Sequence, residues 1–162
     1  MASSARRDPG WPSRIGVSLG RMYNAGRAVS LARWALETTA DYAKKRKTFS
    51  NAIASYQAIQ FMLADSAMEI YSAYTMAMDC ARRIDRGEKV DKQLAMVKAH
   101  SCEVGFQILD RCVQIHGGMG LVNETRFHDG WHALRVARVA DGTSEIMRRN
   151  VARAVLGGDL RI

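Results

Sequence analysis

Gly117, Gly118 and Gly120 fall within four positions in the stretch "QIHGGMG", directly after the apolar run "VGFQILDRCVQI". Glycine inside a helix is costly, so such a cluster either ends a helix or lets backbone come close to another group. Earlier in the chain, Arg46 in "KKRKTF" carries a guanidinium fork of the kind that suits pyrophosphate oxygens. A third stretch, "RVADGTSE", sets Asp141 before a glycine and two hydroxyl residues. Each has a plain structural alternative. Gly117 and Gly118 can end a helix while Gly120 permits a tight turn, and Arg46 can be a cation at a helix C-terminus. Asp141 can form an Asx-turn or N-cap, with Thr143 or Ser144 sharing the capping. Gln57 and Gln114, taken alone, read as capping or hydrogen-bonding residues.

Some chemistries drop out at once. The Gly-Gly-x-Gly run is no phosphate loop, because the Walker lysine and hydroxyl are missing, and no strand precedes it as in a dinucleotide fold. His100, His128 and His132 share no ligand spacing, and Cys80, Cys102 and Cys112 do not either, so no metal site is expected. His116 reads as packing or a local hydrogen bond.

The elements that must position these residues are helices. Pro9 and Pro12 are the only prolines, which leaves 150 residues without a helix breaker. Apolar positions such as Val29, Ala32 and Leu36 recur at helical spacing and predict a first helix from about 14–17 to 44–47, ending in cations that complement its dipole. "KTFSNAI" is the connection, with Ser50 or Asn51 as N-cap. A second helix over about 53–84 has apolar residues on more than one stripe, which predicts contact on several sides, as at the centre of a bundle. "DRGEK" is a turn, and a third helix covers about 90–115. A shorter helix lies in "NETRFHDGWHALRVARVADG". A last one begins near Thr143, runs to about Val155 and is closed by Gly157 and Gly158. Three long helices with short connections predict an all-α, antiparallel helical bundle over 17–158, with 1–16 an extension or linker and 159–162 a tail.

At 162 residues the chain has the length of one domain with a real core. Its three cysteines sit inside helical patterns and are expected as buried, reduced thiols of a cytoplasmic protein. No apolar run is long enough to span a membrane, and no signal-peptide pattern is present. Of the formal charge of +8, nearly all lies in residues 1–50, with ten Lys/Arg against three Asp/Glu. Such a basic front end suits an anionic cofactor, an acidic surface or a solvated face. Nucleic acid is not expected, since no helix-turn-helix, zinc-finger or RNA-binding signature accompanies it.

Four separated features change the weight of the alternatives. "RKTF" at 46–49, Gln57 in "YQAIQFMLADS", "VQIHGGMG" and "ADGTSEIMRR" occur in this order and at this spacing. Together they resemble the C-terminal helical domain of the acyl-CoA dehydrogenase family, over nearly all of the chain from about Val17. The resemblance implies an FAD site completed across a subunit interface, in dimers or tetramers. It implies that Arg46 contacts the FAD pyrophosphate of a neighbouring subunit, with Thr48 and Phe49 beside it. Gln57 would lie near the adenosine part, and Gln114, Gly117 and Gly118 where backbone approaches the adenosine-pyrophosphate region. Thr143 and Glu145 match positions that also touch FAD, and Arg21 matches an arginine near the acyl-CoA.

For chemistry the resemblance implies that Asp141 is the base that removes the α proton of an acyl-CoA thioester while the flavin accepts hydride from the β carbon. Many members have glutamate there; aspartate is one methylene shorter, and a misplacement of that order can cost about a hundredfold. Glutamine is commoner at the position of Glu145, and Arg-Asp at that of His132-Ala133. An electron acceptor such as electron-transfer flavoprotein is implied as partner. The resemblance covers only the last of the family's domains. A fragment, a truncated product, or half of a split enzyme whose other domains come from a separate chain is therefore expected. The alternative is a non-catalytic structural or interaction bundle derived from that domain.

Overall fold

The computed structural model describes residues 11–160, and the expected extension lies outside them up to residue 10. Five helices carry the chain: α1 (Trp11–Lys45), α2 (Gln57–Asp85), α3 (Asp91–His116), α4 (Phe127–Ala137) and α5 (Ser144–Leu156). The bundle is all-α in its layers, as the periodicity predicts. α1 starts at Trp11, earlier than the pattern of apolar residues indicates. Pro12 does not prevent this, because proline fits the first turn of a helix, where its missing N–H has no partner to lose. Lys44 and Lys45 do occupy the last turn of α1.

Contacts along the helices fix their directions. Cys102 Sγ lies over the Asn24 carbonyl at one end of the α1–α3 pair, and Tyr42 Oη donates to the His116 carbonyl at the other (3.4 Å), so α1 and α3 run parallel. α2 returns between them: Ala77 and Cys80 pack with Ala25, whereas Ile59 and Met62 pack with Ala43 and Ile115. α4 and α5 then lie successively against α3, antiparallel to it. Phe127 meets His116, Arg138 pairs with Glu103 (2.9 Å), and Lys92 donates to the Asp159 carbonyl (2.8 Å). The break between α4 and α5 thus falls opposite the middle of α3.

The core joins Ala28, Val29, Ala32 and Ala35 of α1 to Val104, Ile108, Leu109 and Cys112 of α3, closed by Ile70, Ala73, Phe127 and Leu134. Small residues let α1 and α3 come close. A methyl group on Gly105 would stand 3.0 Å from the Ala28 carbonyl oxygen. All three cysteines are buried and unpaired, and burial pushes the Cys102 thiol up to about 11.

Two expectations need correction. The central helix is α3, not α2. α3 buries residues around most of its circumference, from Leu94 to His116, whereas α2 buries a single stripe of Ser66, Ile70, Ala73, Ala77 and Cys80. The second apolar stripe of α2, with Phe61, Met68, Tyr71 and Tyr74, faces solvent. The apolar pattern recorded that this face is sticky, but nothing in it says whether the same chain covers it. Nor do Ser50 or Asn51 cap a helix. Lys47–Thr48 pairs antiparallel with Asn51–Ala52 around Phe49 and Ser50, both at positive φ (49° and 72°), which is the geometry of a tight two-residue hairpin. A 3-10 turn at Ile53–Ser55 follows, and α2 begins only at Gln57.

Candidate functional site

The residues singled out in the sequence gather into two groups, one beside the N-terminal third of α1 and the other at its C-terminal end. At 1.5 Å rise per residue, the 25 positions from Arg21 to Arg46 put them about 37 Å apart. One group holds Arg21, Asp141, Thr143 and Glu145; the other holds Arg46, Thr48, Phe49, Gln57, Gln114, Gly117 and Gly118. Within one protomer they do not form one site.

The Asp141 group is built where α4 gives way to α5. Thr143 is the N-cap of α5, its hydroxyl accepting from the Ile146 amide (3.4 Å). The capping role open to Asp141 therefore belongs to Thr143. Asp141 instead stands in the left-handed region (φ 56°), followed by Gly142 at φ 105°. Left-handed backbone costs a non-glycine residue about 1–2 kcal/mol, aspartate less than most, and surrounding contacts help to hold it. They do so from α1: Asn24 Nδ2 donates to Asp141 Oδ2 (2.7 Å), and Arg21 Nε donates to the Asp141 carbonyl (3.1 Å). Gly20 leaves room for the carboxylate, since a Cβ there would lie 2.6 Å from Asp141 Oδ2. Glu145 is exposed in the first turn of α5, where its own backbone amide and then the Thr143 hydroxyl hold its carboxyl below the usual range.

Lys98 completes this end from beneath. It is 0% exposed, and its Nζ donates to the Gly142 carbonyl (2.6 Å) and, at longer range, to that of Arg138 (3.4 Å). Sequence reasoning passed over Gly20, Asn24 and Lys98. The signal for Lys98 was present: it stands between Leu94 and Cys102 on a buried stripe of α3, where an aliphatic residue is the norm. Asn24 likewise precedes Ala28 and Ala32 on the apolar face of α1.

The second group is open. Arg46 follows the last residue of α1, its carbonyl accepting from the Ile53 amide (2.8 Å), so the hairpin folds back beside it. Phe49 stands at the hairpin tip and is 90% exposed. Tyr56 Oη donates to the Thr48 carbonyl (2.8 Å). Thr48 and Gln114 line one cleft of about 360 Å³ with Ile53, Tyr56, Ile59, Met62 and Ile115. α3 ends at His116, and Gly117 at φ 58° turns the chain away, as expected of a helix-ending glycine. Gly120 is required by the fold, because a Cβ there would lie 2.5 Å from the Val113 carbonyl oxygen. Gly118 is different. It has no positive φ and nothing within 4 Å of a Cβ, so the described residues do not demand glycine there. His116 is buried, stacked on Tyr42 (4.1 Å between centroids) and donating through Nδ1 to the Cys112 carbonyl (2.8 Å), which makes it a packing residue. Burial lowers its pKa from the ordinary value, and the bond to Cys112 only partly offsets this.

No helix among the described residues is long and apolar enough to cross a membrane. The fold is thus an up-down-up bundle with two further helices, a left-handed carboxylate turn at the α4–α5 break and a hairpin after α1. Residues 13–156 match the model of the acyl-CoA dehydrogenase C-terminal domain, and the chain belongs to that family. A probable acyl-CoA dehydrogenase of Bacillus subtilis, YngJ, is 38% identical over 137 residues, which are 85% of this chain and 36% of that protein. The caffeyl-CoA reductase-Etf complex subunit CarC of Acetobacterium woodii is 31% identical over 140 residues, 86% of this chain and 37% of that protein. Among solved structures, butyryl-CoA dehydrogenase from Megasphaera elsdenii superposes with a TM-score of 0.85 at 26% identity, over 88% of this chain and 37% of that one. The chain thus spans a little over a third of the length of these relatives.

Proposed function

We propose that this chain is the C-terminal helical part of an FAD-dependent acyl-CoA dehydrogenase, with Asp141 as the base. The observation that carries the reading is the Asp141 turn. A carboxylate is held in a strained backbone conformation by Asn24, Arg21 and a space left by Gly20, although Thr143 already does the capping. Strain maintained by converging contacts from another helix fits a positioned reactive group better than a simple turn. Asp141 would take the α proton of an acyl thioester, and Asn24, bonded to Oδ2, would leave Oδ1 to receive it. Arg21 stands beside this carboxylate on the same face, where the thioester end of an acyl-CoA would pass.

The open end fits an anionic dinucleotide. Arg46 offers a fork for pyrophosphate oxygens, Phe49 an exposed ring, Gln57 and Gln114 amide partners, and Gly117 and Gly118 room for close approach. FAD bound there would supply the hydride acceptor for the β carbon. Because the two groups are about 37 Å apart along α1, Arg46 would serve the flavin of a neighbouring subunit while Asp141, Thr143 and Glu145 serve the other. The uncovered aromatic face of α2 supports association into a dimer or tetramer, since contiguous exposed apolar surface marks an interface. The Acetobacterium relative is a subunit of an Etf complex, which supports an electron-transferring flavoprotein as redox partner. A thioester substrate and a cytoplasmic location complete the reading.

A visible spectrum of the purified chain, after incubation with excess FAD and removal of free dye, tests it. The expected result is a retained flavin band of altered shape that R46A removes. A folded chain that keeps no flavin, alone or with added domains of a relative, would favour the non-catalytic bundle.

A further inference from the structure

One charged side chain, that of Lys98, is wholly buried among the described residues. Removing an ammonium from water is expensive, and an apolar residue of the same length would fill the same space at no such cost. Lys98 must therefore do something that methionine would not. Its short bond goes to the Gly142 carbonyl, the peptide oxygen that follows Asp141. Its longer bond goes to Arg138, whose carbonyl also accepts from the Ser144 amide (3.1 Å) and so closes the loop across 138–144. The Asp141 carbonyl between them is held from the opposite side by Arg21.

We propose that Lys98 is a positioning residue for Asp141, its ammonium pinning the Gly142 carbonyl so that the left-handed turn aims the carboxylate at Gly20 and Asn24. The role rests on the reading of Asp141 as base, but the clamp itself is a property of this chain alone. Burial pushes the Lys98 pKa down from its ordinary value, and the Asp141 carboxylate pulls it back up. Arg21 on α1 opposes and Glu103 on α3 assists. The turn and the lysine thus stabilise each other: the loop supplies the acceptors the lysine needs, and the lysine supplies the force the strained residue needs.

The first test uses the unaltered chain. An NMR spectrum tuned to lysine ammonium groups should show a scalar coupling across the hydrogen bond from Lys98 Nζ to the Gly142 carbonyl carbon. Absence of that coupling, with Lys98 Nζ exchanging as freely as surface lysines, overturns the proposal whether or not any variant folds. The second test is K98M, read by amide hydrogen exchange. Ser144 should exchange about tenfold faster or more, while Ile108 at the centre of α3 keeps its protection. Equal changes at both amides, or none at Ser144, would mean that Lys98 serves only general packing. In the enzyme assembled with its remaining domains, K98M should lower kcat by about a hundredfold with KM unchanged, the signature of a misplaced base. If Ser144 loosens and kcat does not fall, the clamp stands and the assignment of Asp141 as base fails. The two readings can therefore be separated.

Discussion

The two regions along α1 solve opposite problems. Around Asp141 the turn is held by partners from this chain: Asn24 on one carboxylate oxygen, Arg21 and Lys98 on the carbonyls, Thr143 on the helix N-terminus. Around Arg46 the chain presents groups outward, with Phe49 almost fully exposed and Gly118 free of any contact that would call for glycine. One region is held by its own fold, while the other is left open. Under the proposed function, that difference is what a reactive group and a shared cofactor surface would each require. A base must be aimed before substrate arrives, whereas a surface that closes on a neighbour's ligand has to stay open until assembly.

The comparison can be broken most forcefully by crossing two variants. D141N should cost the assembled enzyme about 10²–10⁴-fold in turnover, the usual worth of a general base, while flavin retention is unchanged. R46A should weaken flavin retention first. If both variants lose the same property, the two regions are not the separate devices described.

Glycines sharpen the comparison next. G120A pushes a methyl group into the Val113 backbone and should destabilise the chain by about 1–3 kcal/mol in denaturant titration. G118A should leave stability within about 0.5 kcal/mol, because no described atom lies within 4 Å of the added methyl, yet reduce flavin retention if the proposed FAD approaches there. Equal destabilisation by both would return Gly118 to the fold.

A smaller effect is expected at the face of α2. Tyr71 is 74% exposed, so Tyr71→Glu should leave the protomer's stability within about 0.5 kcal/mol while shifting sedimentation from oligomer to monomer. An oligomer that survives the charge would move the interface elsewhere.

The smallest effect is with pH. Because burial lowers the His116 pKa below its ordinary 6.5, the unfolded chain binds more protons than the folded one in the window just under that value. Stability should be full above pH 6.5 and fall as the pH drops below it, by at most about 1.4 kcal/mol per unit. H116F should lack this slope in thermal unfolding followed between pH 7 and 5.

Much of the fold was legible because it is local. The 3.6-residue period of Val29, Ala32 and Leu36, the missing prolines after Pro12, and glycines at 117, 157 and 158 place helices and their ends with no tertiary information. The hairpin at 47–52 was not legible. Phe49 and Ser50 are unusual at positive φ, and the Asn-Gly or Asp-Gly signal of such turns is absent. The same holds for Asp141. Its Asp-Gly neighbourhood suggested a cap, and only the bond from Asn24, 117 positions away, shows where the carboxylate is held.

What the sequence by itself determined is the set of helices, their order and the chemical inventory, since period, breakers and residue types are properties of short stretches. The order and spacing of four motifs also carried the family. Only the tertiary structure decided that α3 rather than α2 is central, that Lys98 lies under the Asp141 turn, and that the predicted site residues split into two distant groups. Those outcomes depend on which apolar stripe finds a partner and which backbone carbonyls a buried ammonium can reach. Both are set by packing between segments far apart in the chain, and no local pattern records them.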